Sequence, residues 1–180
     1  MVASGTALAA RAEYRRHSVP NQGVSLSLPG SWKTISAKEA TRLAGSDLDA
    51  FVNAHPELAG VVAQLGQKNS PLKFFAFDPV PLRNFATNAN VVVSPLPGGI
   101  SFARFHRAIV QEVKTLPMTG LAHSEVRLPG GRAVRLTYRL HLTVGGKPLT
   151  VATTQYAFPR RARSVVATYT TLPEAIRAYR

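Results

Sequence analysis

The sequence predicts an α+β domain built on a largely antiparallel sheet. After Pro117, four runs of alternating apolar and polar residues follow one another through short Gly- and Pro-rich links. Links that short join antiparallel neighbours. Before them, residues 102–116 place Phe102, Phe105, Ile109, Val113 and Leu116 at helical spacing, a stripe able to cover one face of such a sheet. The chain has 180 residues, 45% hydrophobic and 17% charged, enough apolar material to bury a core without cross-links.

The elements follow in order. "MVASGTALAARA" is small and weakly apolar, lacks the charged start of a signal peptide and has too short an apolar run. It reads as the remnant of an export signal, a frayed tail or an engineered boundary, so residues 1–12 are set apart from a single domain over 13–180. "YRRHSV" (14–19) can pair with "VSLSLPGSW" (24–32), whose alternation stops at Pro29-Gly30. Ser36 and Glu39 have capping-box spacing for a helix over 37–44. Asp47–His55 predicts a second helix, and Pro56 either interrupts it or opens a third over 57–66, striped by Leu58, Val61, Val62 and Leu65. "LKFFAFDP" (72–79) and "NANVVVSPL" (88–96) read as strands. Ser101 caps the helix 102–116, which Pro117 ends. The four closing strands are 122–128, 133–144, 149–158 and 164–170, and Leu172–Arg180 begins a last helix with Pro173 near its start.

Charge and chemistry narrow the function. Lys and Arg number 22 against 9 Asp and Glu, a net charge of +13, which favours acidic partners without naming one. There is no cysteine, so thiol nucleophiles, disulfides and zinc–thiolate sites are excluded. No apolar run approaches the roughly 18–20 residues of a membrane span. Ser70-Pro71-Leu72-Lys73 matches the Ser-x-x-Lys of acyl-enzymes, but that chemistry places the Ser at a helix start, with Ser-Asp-Asn and Lys-Thr-Gly elements that do not occur here. Gly145-Gly146-Lys147 runs into Pro148 and reads as a hairpin turn rather than a phosphate loop. His17, His55, His106, His123 and His141 lack metal-ligand spacing, with His106 at the border of the helical stripe. The carboxylates are scattered, and Asp47 and Asp49 suit a helix N-terminus. Trp32 reads as a core residue at a turn in preference to a ligand platform. No nucleophile stands beside a positioned base, so the expectation is a protein that is not an enzyme and takes no metal or cofactor.

Three stretches together resemble the PsbP/Mog-type fold and its bacterial envelope branch of LpqN- and DcrB-like lipoproteins. "VSLSLPGSWKTIS" is similar to the opening strand and Pro-x-x-Trp turn. "NANVVVSPL" with the helix after it is similar to the central strand and long helix. "LPGGRAVRLTYRLHLTVGGKPLTVATTQYAFPRRARSVVATYTTLPEAI" is similar to the closing meander and C-terminal helix. The likeness spans about residues 14–180. It implies an α/β/α sandwich, no shared catalytic residues, and an exported or cell-envelope accessory role. The chain departs from the pattern in having no lipobox cysteine, so a lipid anchor is not implied, and a short last helix, which suggests truncation.

The strand "AVRLTYRLHLTV" (133–144) focuses the question of function. Val134, Leu136, Tyr138, Leu140 and Leu142 share one parity, and Arg135, Thr137, Arg139, His141 and Thr143 share the other. A face fully covered by helices reads as nearly continuous apolar residues, so the second face is predicted to be at least partly open. Two readings of it stand: a solvated face, or an anion-contact patch of Arg135, Arg139 and His141 extended by Arg160, Arg161 and Arg163. Arginine forks suit carboxylate and phosphate. The expected function is a non-catalytic binding domain contacting a protein or anionic envelope surface, and the alternative is an electrostatic binder of nucleic acid or another polyanion. The other basic groups, Arg15-Arg16, Arg104, Arg107, Arg127 and Arg132, are dispersed and lack the interleaved exposed aromatics on which bases stack.

Overall fold

The computed structural model describes residues 13–35, 59–65, 67, 69–144 and 146–179. The helices expected over 37–44 and 47–55 lie outside these residues. Strands β1 (Tyr14–Val19) and β2 (Val24–Pro29) form a two-stranded antiparallel hairpin. Strands β3 (Lys33–Ile35), β4 (Leu72–Phe77), β5 (Asn88–Pro95), β6 (Met118–Leu128), β7 (Gly131–Val144), β8 (Lys147–Arg160) and β9 (Arg163–Thr171) form a seven-stranded sheet. Its order is β3-β4-β5-β9-β8-β7-β6, and every pair is antiparallel. Helices α1 (Ala59–Leu65) and α2 (Phe102–Val113) and a 3-10 helix (Pro173–Tyr179) complete the described elements.

Helix α2 carries the chain from β5 to the far edge strand β6. It therefore crosses the sheet, and its apolar stripe lands on the strands between. Phe105, Ile109, Val110 and Val113 pack against Val134, Leu136, Tyr138 and Ala157. Val134, Leu136 and Tyr138 of β7 thus face the main helix, as expected, whereas Leu140 also reaches, and Leu142 joins, a separate cluster around Phe85, Val151 and Leu172. Helix α1 covers the same face further along, where Leu65 and Val61 meet Ile35, Leu72, Phe75 and Phe77. Ser101 caps α2 by accepting a hydrogen bond from the Arg104 N–H at 3.3 Å. The helix ends at Val113 rather than 116, because Thr115 and Leu116 turn back on the Glu112 and Val113 carbonyls. Leu116, expected in the stripe, is exposed.

The opposite face carries the β1–β2 hairpin. Val19, Leu28 and Trp32 pack on Phe74, Ala76, Val91, Val93 and Val165, so the hairpin covers β4, β5 and β9. Trp32 is 5% exposed and its ring stacks on Tyr169 with centroids 6.0 Å apart, the core role expected of it. Among the described residues this cover is a hairpin and not a helical layer, and it does not extend over β7, where Arg135, Arg139, His141 and Thr143 are exposed.

Several boundaries differ from the sequence reading, each for a local reason. β3 has only three residues, too few to display a period. β6 begins at Met118 rather than 122 because a bulge between Thr119 and Ala122, with Gly120 at φ +67°, interrupts the alternation while pairing continues. β8 runs through Pro159 to Arg160. Its pairing with β7 stops at Ala157, so the N–H that Pro159 lacks falls where only β9 is a partner. The β8–β9 turn is correspondingly tight, with Arg161 at φ +52°. The last segment is a 3-10 helix that begins at Pro173.

Candidate functional site

The uncovered half of the sheet and the rim of the hairpin enclose an open cleft of about 660 Å³. β7 and β8 provide its floor with Arg135, Thr137, Arg139, Thr154 and Tyr156, while Tyr14, Leu28, Pro29 and Trp32 provide one wall. The alternation of β7 places Arg135 and Arg139 on the same side, two strand repeats apart, roughly 13 Å at about 3.3 Å per residue. Among the described residues the lining contains no carboxylate. Among the described residues neither guanidinium has an ion-pair or side-chain hydrogen-bond partner; the ion pairs formed there are Arg83 with Glu174 and Arg132 with Glu125. A cleft of this kind, aromatic on its wall and positive on its floor, can take up an anionic group.

The six predicted contact residues divide into separate groups. Arg135 and Arg139 line the cleft. His141 is on the same exposed face but is held in a threonine row: one ring nitrogen meets Thr119 Oγ1 at 3.0 Å and the other meets Thr150 Oγ1 at 3.1 Å. Arg160, Arg161 and Arg163 cluster at the β8–β9 turn. Tyr156 is the residue opposite Arg135, and Arg160 lies four residues beyond it, about 13 Å along the strand. The turn arginines therefore form a second basic group. Arg160 is inserted between two other turns, since a Cβ at Gly23 would lie 2.9 Å from its Nη1 and one at Gly130 3.4 Å from its Nη2. Arg163 Nη1 donates to Gln22 Oε1 at 3.2 Å.

Other features flagged in the sequence resolve into structure. The Ser70 hydroxyl oxygen accepts from the Leu72 N–H at 3.1 Å, and Lys73 Nζ donates to the Ser70 carbonyl rather than to the hydroxyl. Ser70 is 5% exposed. This is a capped strand start. His106 on α2 and His123 on β6, seventeen residues apart, meet edge to face with ring nitrogens at 3.1 Å. No spacing rule could have paired them, because the α2 crossover alone brings them together. Among the described residues no three His, Asp or Glu side chains are grouped to hold a metal. Glu125 receives two hydrogen bonds from Arg132, at 2.6 and 2.8 Å, and this pairing holds its carboxyl below the ordinary value. The Arg132 guanidinium also lies 4.3 Å from the centre of the Phe102 ring. Burial pushes the Tyr138 phenol up to about 12. No helix among the described residues is long and apolar enough to cross a membrane.

The cleft's tyrosines are what sequence reasoning missed. Tyr14, Tyr156 and Tyr169 come from β1, β8 and β9 and join Trp32 of the turn after β2. The exposed Tyr14 was the available signal, a large aromatic in an otherwise polar strand.

Comparison with known proteins places this arrangement among solved folds. No family model matches the sequence, and no curated protein does. The solution structure of cyanobacterial PsbP (CyanoP) from Synechocystis sp. PCC 6803 is similar over 99% of this chain and 89% of its own, with a TM-score of 0.50 and 12% identity. The crystal structure of LpqN, involved in cell envelope biogenesis of Mycobacterium tuberculosis, is similar over 94% of this chain and 84% of its own, with a TM-score of 0.50 and 16% identity. At that level of identity the likeness concerns architecture: the chain has a PsbP-like fold.

Proposed function

We propose that the chain is a non-catalytic accessory domain of the cell envelope that binds an anionic partner through the cleft beside the β1–β2 hairpin. One observation carries the reading. Arg135 and Arg139 stand on the cleft floor and, among the described residues, have no ion-pair partner and no carboxylate beside them in the lining. Two guanidiniums on one rigid strand, neither neutralised by a described acid, make a positive floor on which an anion can accept forked hydrogen bonds from either. The net charge of +13 adds long-range attraction. LpqN, which shares the fold, is involved in cell envelope biogenesis, and this supports the envelope assignment. Arg160, Arg161 and Arg163 form a secondary basic contact at the β8–β9 turn, and His141 borders the floor.

The experiment is binding to anionic vesicles and to heparin across a salt series, for the wild type and for Arg135→Ser/Arg139→Ser. The expected result is a loss of about tenfold in affinity at low salt and a shallower salt dependence, because two screened contacts are gone. Wild-type affinity and salt slope in the double variant overturn the reading. Duplex DNA bound more tightly than either probe, with a slope steepened by each neutralised phosphate, supports the nucleic-acid alternative instead.

A further inference from the structure

The cleft continues into a second one. The larger is walled by Ser27, Leu28 and Pro29 of β2, and a smaller cleft of about 240 Å³ is walled by Val24, Ser25, Leu26 and Ser27. Ser27 and Tyr156 line both, so the two make one groove that follows β2 along its whole length, Val24–Pro29. Among the described residues β2 pairs with β1 alone. An antiparallel strand turns half of its N–H and C=O groups toward its partner and the other half away. The outward half on β2 borders the groove, and no strand among the described residues receives it. Across from it the floor is apolar in the middle, at Leu128, Phe158 and Ala167. It is basic at both ends: Arg135 and Arg139 lie at the end shared with Pro29, and Arg160 lies beside Gly23.

We propose that this groove receives an extended acidic segment of a partner protein, which adds to the β1–β2 hairpin as a third strand along the outer edge of β2. The inference rests on the binding-domain reading above and names the chemistry of the partner. An exposed strand edge is a template for another strand, whose main-chain hydrogen bonds supply affinity while alternate side chains supply specificity. The six residues of β2 span about 20 Å at roughly 3.3 Å per residue, so a segment of similar length fits. Its alternate apolar side chains rest on Leu128 and Phe158, and its carboxylates meet Arg135 and Arg139. An acyl chain would satisfy the apolar floor but leave the outward backbone groups of β2 without protein partners, whereas a peptide satisfies both. Residues 1–12 of the chain itself contain Arg11 and no carboxylate, so their charge does not complement the floor.

The test uses the full chain and a pool of end-capped peptides: two aspartates followed by six residues, matching β2, that alternate Val or Phe with Thr. Binding is read by fluorescence anisotropy, and backbone protection by amide hydrogen exchange. The tightest member should lose about tenfold or more in affinity when one alternate set of its peptide nitrogens is methylated, and less than about twofold when the other set is, because only one set faces β2. Alternate amides within Val24–Pro29 should gain protection on binding. Arg135→Gln/Arg139→Gln should weaken the same peptide about tenfold and flatten its salt dependence. Equal losses from the two methylated sets, no gain in protection along β2, or no pool member binding below about 1 mM overturns the proposal. So does binding of dodecyl phosphate at Arg135 and Arg139 in the absence of peptide binding. If peptides fail while vesicle and heparin binding still depends on Arg135 and Arg139, the strand-addition inference falls and the anion-binding function stands. If peptides bind with the alternating methylation pattern while vesicle and heparin binding ignores the arginines, strand addition stands and the anionic-surface reading falls.

Discussion

The two faces of the seven-stranded sheet solve the same problem differently. On one, α2 and α1 cover β7, β8, β4 and β5 with interlocking apolar side chains. On the other, a short hairpin covers β4, β5 and β9 and leaves β7 to solvent. The same strand, β7, contributes Leu136 to a sealed interior and Arg135 to an open cleft. The first face fixes the fold, because burying each large apolar side chain stabilises it by about 1.5–3 kcal/mol. The part of the second face that the hairpin leaves uncovered costs little to vary, because Arg135, Arg139, His141 and Thr143 stay exposed and lose little water contact. The proposed binding cleft lies where stability makes the fewest demands.

The sharpest test of this contrast is a pair of substitutions. Phe105 is 0% exposed beneath the helix–sheet contact, and Phe105→Ala should cost about 3–5 kcal/mol, measured by denaturant unfolding. Phe105→Asp should prevent folding by placing an uncompensated charge in the core. Arg139→Ala on the other face should change stability by no more than about 0.5 kcal/mol. A comparable loss at both positions would break the comparison.

A smaller effect comes from pH. The ordinary tyrosine value is 10.0, and Tyr138 in the folded chain is pushed up to about 12. A raised folded value means that the native state holds the proton more tightly than the unfolded chain does. The contribution is therefore full below pH 10 and is lost as pH rises toward 12. Tyr138→Phe should remove that part of the alkaline destabilisation while leaving the core filled, which unfolding curves of the two proteins at pH 8 and pH 11 would reveal.

The smallest stability effect is expected at the sheet edge. Arg132 holds the Glu125 carboxyl below its ordinary value, so that pair contributes above the unfolded carboxyl value and is lost as pH falls through the folded one. Both groups are exposed to solvent and salt, which keeps the contribution slight. Arg132→Lys should retain the charge yet lose the forked geometry over Phe102. A slightly lower midpoint, with reduced sensitivity to acid, is the expected result. At Ser70 the expectation is no effect at all. A broad serine-acylating probe should leave it unmodified, because its oxygen is tied to the Leu72 N–H and Lys73 points at a carbonyl. Stoichiometric labelling lost in Ser70→Ala would show a nucleophile where the structure has a strand cap.

Much of this was legible in the chain itself, wherever a residue's role is set by its immediate neighbours. The period-2 alternation of β7 determined which side chains are buried, Ser101 determined where α2 begins, and Gly-rich links determined which late strands are paired. Local signals failed where local order is interrupted: at the Gly120 bulge, in the three residues of β3, and at Pro159. The candidate site divided the same way. Arg135 and Arg139 are visible in the sequence as a face of one strand, whereas their distance from Arg160, Arg161 and Arg163 is set by the strand length between them.

Only the tertiary structure decided the rest. β9 inserts between β5 and β8, pairing Val91 with Ala167 and Val92 with Val166 across a long stretch of sequence. A strand's pattern states which face it buries but not which strand it lies beside, since many neighbours satisfy the same alternation. That insertion brings Tyr169 under Trp32 and positions the hairpin over β9, leaving β7 bare. The cleft, its aromatic wall and the edge of β2 that no described strand pairs are consequences of strand order, and strand order is settled by the packing of the whole sheet at once.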